Sequence, residues 1–191
     1  MSKKPEILLF QKWTFNDITV KDTGLARYIN LTPMTLPHSM GRHEHQRFRK
    51  AKVNIVERFI NGFMRPGKNA GKKARATNFV KQAFEIIHLR TGKNPVEILV
   101  QAVENAAPAE DTTRLSYGGV VYHLSVDIAP QRRIDLALRN LTNGARAASA
   151  NNPRSVPETI ADELIFAANN DIKSAGVAKR HEIERVAQSS R

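Results

Sequence analysis

"TTRLSYGGVVYHLSVDI", residues 112–128, is the stretch on which the fold turns. Residues rich in β-branching and aromatic rings flank Gly118-Gly119, the signature of two antiparallel strands joined by a tight turn. No other segment offers a convincing pair of strands. A lone two-stranded ribbon is marginal in water. It must therefore pack on a body, or project from one to touch something else. Arg114, Tyr117, Tyr122 and His123 combine cations with ring faces. On a projecting ribbon they suit stacking on exposed bases and contact with backbone phosphates. On a packed ribbon, Tyr122, Leu124 and Val126 face a core instead. The residues alone leave both readings open.

Outward from the hairpin the pattern is helical. "APQRR" follows it, and Pro130 opens a helix whose inward face is Ile134, Ala137, Leu138, Leu141 and Ala145. Before the hairpin, Asn94-Pro95 is a cap followed by a first-turn proline, and that helix ends at Pro108. Further upstream, Phe79, Val80, Ala83, Phe84 and Ile87 share one face of a helix from about Arg75 to Thr91, stopped by Gly92. Val53, Val56, Phe59, Ile60 and Phe63 predict another from about Phe48 to Met64, broken by "RPGKNAGKK". Downstream, Ser155 and Glu158 have capping-box spacing, with Pro157 in the first turn and Ile160, Leu164, Ile165 and Ala168 inward. A last helix covers about Ala178 to Gln188. Residues 1–36 lack a helical period and read as an extended extension lying on the body. Residues 37–191 read as one helical domain: mainly α, six helices, with one hairpin at about 112–128 between the third and fourth.

Composition narrows the function. A domain within 191 residues buries most of its unfolded surface without a staple. There is no cysteine, so disulfides, thiolate ligands and cysteine nucleophiles are excluded. No apolar run reaches the ~18 residues of a membrane span, and no signal-peptide core opens the chain. The reading is a soluble, unsecreted protein. Thirty Lys and Arg face 18 Asp and Glu, a net charge of +12. The excess is local. Residues 37–93 hold 14 of the bases and only Glu44, Glu57 and Glu85 as acids, while the remainder is nearly neutral. A block of this kind favours a polyanion, because each phosphate neutralised releases condensed counterions.

The block begins with "PHSMGRHEHQRFRKAK", residues 37–52, which holds three of the six histidines. A metal site at His38, His43 and His45 is disfavoured. His43 and His45 diverge by about 200° on a helix, carboxylates are scarce, and Arg42, Arg47, Arg49, Lys50 and Lys52 repel a divalent ion. "GKNAGKK", residues 67–73, misses the phosphate-loop spacing by one residue and has Lys73 where a hydroxyl is needed. Its Lys68, Lys72, Lys73 and Arg75 still suit a phosphate near a helix start. Arg132 and Arg133 also stand at a helix start, where the dipole disfavours cations unless an anion is near. There is no G-x-S-x-G and no paired-carboxylate cluster in the block. The expectation is a non-catalytic protein without metal or cofactor. Loop-borne charge plus a ribbon suits folded RNA. A sequence-specific DNA-binding regulator is the alternative, though no helix-turn-helix or dimer seam is evident.

"LPHSMGRHEHQRFRKAKVNIVERFINGFMRPGKNAGKKARATNFVKQAFEIIHLRTGKNPVEILVQAVENAAPAEDTTRL" resembles the family of ribosomal protein seven of the small subunit, in its archaeal and eukaryotic cytoplasmic form. "GGVVYHLSVDIAPQRRIDLALRNLTNGAR", "IADELIFAANN" and "AKRHEIERVAQSSR" continue the likeness over residues 30–191. The N-terminal stretch and the longer Gly-Lys turn are those of the non-bacterial branch, and an archaeal member is expected. The resemblance implies a six-helix fold with a protruding hairpin, acting in the cytoplasm as a monomer within the ribosome. It implies direct binding to the 3′ major domain of small-subunit rRNA, organisation of the subunit head, and neighbouring ribosomal proteins as partners. By position, rRNA contacts would be Arg42, His43, His45, Arg47, Arg49, Lys50 and Lys52, then Lys68, Lys72, Lys73 and Arg75, with Arg132 and Arg133. The hairpin, at Arg114, Tyr117, Gly118, Gly119, Tyr122 and His123, would face exit-site tRNA and mRNA.

Overall fold

A computed structural model describes residues 7–16, 18–41, 43–65, 67 and 69–191, with the backbone alone at Glu44. Arg42 and Lys68 lie outside the described residues. The centre of the molecule is the helix Pro95–Ala106. Eight of its twelve residues are buried, including Val96, Leu99, Ala102, Val103 and Ala106. A helix apolar nearly all round has to be enclosed by other elements. The Asn94 side chain accepts from the Val96 N–H at 3.0 Å, and Pro95 occupies the first turn. In chain order this helix is α4, after α1 (Thr23–Ala26), α2 (Ile55–Gly62) and α3 (Lys73–Thr91). It is followed by β1 (Glu110–Tyr117), β2 (Val120–Asp127), α5 (Pro130–Ser149), α6 (Val156–Ala168) and α7 (Ala175–Ser189). The helices α3, α5, α6 and α7 all pack on α4.

Helices two to six of the sequence reading are α3 to α7, and the hairpin stands between α4 and α5 as expected. The capping box at Ser155 and Glu158 is formed, with Ser155 N–H donating to Glu158 at 3.0 Å. The last helix starts three residues earlier than its predicted Ala178. Ser174 caps it, and the buried Glu163 accepts from the Ser174 hydroxyl at 2.7 Å and the Gly176 N–H at 2.9 Å.

The first predicted helix differs more. Instead of running from Phe48, α2 begins at Ile55, and residues Arg49–Lys52 form a separate 3₁₀ turn. Asn54 explains the break. Its side chain accepts from the Val56 N–H at 2.8 Å and donates to Thr32 O at 2.8 Å. The Ile55 N–H is spent on Asn30 O at 3.0 Å. A local cap and a crossing segment thus compete successfully with continued helix. Val53 still turns inward, so the apolar spacing runs on through the break.

That crossing segment is the N-terminal stretch. It contains the extra one-turn helix α1, and Leu9 and Leu25 are fully buried in the common core. The ring of Phe10 meets that of Phe84 edge-on at 6.4 Å. Thr14 O accepts from Asn94 Nδ2 at 2.8 Å, and Glu104 accepts from the Lys21 N–H at 2.6 Å. Residues 9–16 and 18–30 therefore strap α3 and α4 together.

The hairpin behaves in the opposite way. Gly118 (φ 58°) and Gly119 (φ 84°) are both left-handed, as a two-residue turn between right-twisted strands requires. Its base is rooted on α7 through Ser125 N–H to Ser190 O at 3.3 Å and through Ala109 N–H to Glu184 at 3.0 Å. Beyond that root the ribbon stands in solvent. Tyr117, Tyr122, Leu124 and Val126 are exposed, so the ribbon projects and these side chains do not face the core.

Candidate nucleic-acid interface

The spine of the basic surface is α5. Its Ile134, Ala137, Leu141 and Ala145 pack inward, which leaves Arg132, Arg139 and Arg146 on the outer side. Their seven-residue spacing is close to two helical turns, so they form one stripe about 21 Å long. Each arginine lines its own groove. The first groove, of about 400 Å³, brings Arg132 and Gln131 against Arg47, Phe48 and Lys50. The second, of about 490 Å³, lies between α2 and α5 and sets Arg139 among His43, Arg58 and Arg65. α2 comes this close because Gly62 has no side chain: a Cβ there would stand 2.7 Å from Thr142 Cγ2. The third, of about 100 Å³, joins Arg146 to Lys72, Arg75 and Phe79. The fold thus brings together the arm of residues 43–52, the turn before α3 and the start of α5, which the sequence separates.

The cations within this surface are not equivalent. His45, Arg47, Arg49, Lys52 and Lys72 are exposed and make no ion pair with the described residues. Arg47 lies over the Phe48 ring at 5.3 Å, and Arg75 over Phe79 at 5.4 Å. Phe48 is itself exposed, with a left-handed backbone at φ 62°. Other cations are held by acids. Lys50 pairs with Asp135 at 2.6 Å, and Arg58 binds the other oxygen of that carboxylate at 2.8 Å. Arg133 pairs with Asp22 at 3.1 Å and donates to Pro108 O at 3.0 Å. Arg132 keeps a long contact of 3.4 Å to Asp111. Lys73 turns inward to Glu57 at 2.6 Å.

Glu57 organises the arm as well as Lys73. It is buried, and it also accepts from the Ser39 N–H and hydroxyl, both at 3.0 Å. Ser39 in turn meets His43 Nε2 at 2.8 Å. Burial pushes the Glu57 carboxyl up, but the Lys73 ammonium and the two Ser39 donors together hold it below its ordinary value. Among the described residues no three His, Asp or Glu side chains converge on a metal position, and His38, His43 and His45 do not form such a group.

Sequence reasoning did not single out Arg65, Arg139, Arg146 or Gln131. The arginine stripe had a signal, the spacing 132, 139, 146, once α5 is placed on a wheel. Gln131 had none. It is buried with neither amide atom hydrogen-bonded among the described residues, beside the first groove. On the hairpin, Arg114 pairs across the ladder with His123, and Leu115 with Tyr122. Neighbours along a strand alternate and cross-strand partners share a face, so Arg114, Ser116 and His123 take one side, and Leu115, Tyr117, Tyr122 and Leu124 the other.

These features define a class: a small helical protein that offers a cationic stripe and an exposed two-faced ribbon to a polyanionic scaffold. The comparisons with known proteins make it specific. Residues 25–191 match the model of the family Ribosomal protein S7p/S5e. The chain is 52% identical to the small ribosomal subunit protein uS7 of Cenarchaeum symbiosum over the whole of both chains. It is 50% identical to that of Methanothermobacter thermautotrophicus over 96% of this chain and 98% of the relative. For Methanosphaera stadtmanae the figures are 48%, 95% and 97%. The chain belongs to the ribosomal protein S7p/S5e family, in its archaeal type, and is a small-subunit ribosomal protein of the cytoplasmic ribosome. The family is one of structural ribosomal proteins, with rRNA and other ribosomal proteins as partners.

Proposed function

We propose that the protein binds the 3′ major domain of small-subunit rRNA directly and, by holding several of its helices in one arrangement, organises the head of the subunit. It does so without catalysis. The observation that carries this reading is the stripe of Arg132, Arg139 and Arg146, flanked by Arg47, Arg65 and Arg75 from three other segments. Phosphates on one RNA helix could be met by one segment. A face assembled from four segments suits RNA folded so that several backbones converge. Arg132 and Arg133 start a helix at an electrostatic cost; Asp22 offsets it for Arg133, whereas Arg132, exposed and with only a 3.4 Å contact to Asp111, is left for a phosphate. The contacts expected from position remain part of the reading, with Lys50, Lys73 and Arg133 fixing the surface from within while their neighbours reach outward. The hairpin extends toward the exit site, where Arg114 and His123 would meet the phosphates of tRNA or mRNA.

Competition binding at physiological salt tests this. Labelled 3′ major domain rRNA is challenged with shuffled RNA of equal length and with duplex DNA. Preference for the rRNA by ~10³ or more is expected, beyond what non-specific charge supplies. Equal competition by all three would reduce the face to a cationic surface, and preference for the duplex would favour a DNA-binding regulator. Replacing Arg132, Arg139 and Arg146 by Gln should flatten the salt dependence by ~2 in log–log slope, at about 0.7 for each phosphate left unneutralised on single-stranded RNA.

A further inference from the structure

The third groove differs in kind from the other two. Phe63, Phe79 and Val156 give it an apolar floor, while Lys72, Arg75 and Arg146 form its rim. Among the described residues no acid lines it. A bare phosphate has no use for that floor. An apolar segment of a protein partner has no use for three cations, which it would leave desolvated and unpaired. A nucleotide has both properties: its flat ring is apolar on its faces and its phosphate is anionic.

We propose that this cavity receives a single unstacked rRNA base, which lies against the Arg75–Phe79 pair while Lys72 and Arg146 take the adjoining phosphates. This rests on the rRNA-binding reading above and adds a defined site to it. The Arg75 guanidinium already lies over the Phe79 ring at 5.4 Å, a surface of the kind on which bases stack. About 100 Å³ suits one ring system and not a folded segment. Asn69 and Ser149 at the edge supply donors and acceptors for the edge of the base. A base within an A-form helix is stacked and cannot enter, so the occupant has to come from a bulge or loop.

The test uses the absence of cysteine. Ser149→Cys provides a single thiol at the edge of the cavity, to carry a short aryl-azide cross-linker. The full-length labelled protein is bound to 3′ major domain rRNA and irradiated, and cross-links are mapped by primer extension. Cross-links confined to one or two nucleotides, unpaired by dimethyl sulfate reactivity in free RNA and protected on binding, are expected. In parallel, Phe79→Leu should weaken binding about tenfold with an unchanged salt slope, because stacking is removed while every ionic partner stays in place. Phe79→Tyr, which keeps the ring, should recover the affinity. Cross-links to paired segments only, absence of cross-links, or full affinity in Phe79→Leu would overturn the base pocket while leaving rRNA binding intact. If the wild-type protein does not select the rRNA at all, the broader reading fails and takes the pocket with it.

Discussion

The N-terminal strap and the β-hairpin make an instructive pair. Both lie outside the six long helices, and both are rich in apolar side chains. The strap buries its own: Leu9 and Leu25 are sealed in the core, and Phe10, Phe15 and Ile29 nearly so. The hairpin shows its own to solvent: Leu115 is 51% exposed, Tyr122 53% and Tyr117 83%. The strap is irregular chain that the helices complete. The hairpin is regular chain that stands largely uncovered beyond its root on α7. Backbone regularity and integration into the core are separate properties here. A ribbon satisfies its own ladder and can stand out from the body, whereas irregular chain has to borrow hydrogen bonds from its neighbours, as Thr14, Lys21 and Asn30 do.

The largest expected effect breaks or sustains that contrast directly. Leu25→Ala removes a fully buried side chain and should cost about 2–5 kcal/mol. Urea titration of the free protein reads it. A cost below ~1 kcal/mol, under the range for a buried leucine, would mean that the strap is dispensable packing. The two regions would then no longer differ.

A smaller effect comes from Glu57, which ties Ser39, beyond the strap, to Lys73 at the start of α3. The folded-state value of this carboxyl is lowered from 4.5. Its contribution is therefore present above that pH and lost as pH falls through the lower, folded value. Glu57→Gln should cost about 1.5–3 kcal/mol at pH 7, the range for hydrogen bonds to a charged group, and should reduce the slope of stability against pH below 4.5. Urea midpoints at neutral pH and on either side of that value check it. Parallel pH curves for the two proteins would show that other carboxylates carry the acid sensitivity.

Legibility in the sequence divides along the same line. Helix starts are readable wherever a cap and a proline coincide, as at Asn94-Pro95 and around Ser155, because that chemistry is local. The hairpin is readable from Gly118-Gly119 and its flanks. That the N-terminal stretch lies extended on the body is readable from its missing helical period, but which side chains it seals is not, because burial of Leu9 or Leu25 depends on what crosses it. The false start at Phe48 has the same origin: Asn54 is visible, but Asn30 and Thr32, which hold it, are distant in the chain. For the interface, the basic block is plain from composition. Which of its cations reach outward is not, since Lys73 turning to Glu57 and Lys50 to Asp135 are facts of three dimensions. The arginine stripe lies between these cases: local in its spacing, but evident only when the whole helix is taken as one face.

The smallest expected effect is the sharpest test of the comparison. Leu115 and Tyr122 are cross-strand partners on the apolar face of the ribbon, each about half exposed. If that face has no partner in the free protein, changing both to Ala should alter unfolding free energy by no more than about 0.5 kcal/mol, as for surface positions in general. The consequence should appear elsewhere. An exposed strand edge beside an apolar face is a template for self-association, and removing the two side chains should make the free protein more soluble, with weaker self-association by light scattering. The stability and scattering measurements separate the possibilities cleanly. A destabilisation above ~1 kcal/mol, beyond the surface range, would place the ribbon's apolar face against the body in solution, like the strap. Unchanged stability with unchanged scattering would leave the face inert toward its own kind, so that its exposure answers only to a partner in the ribosome.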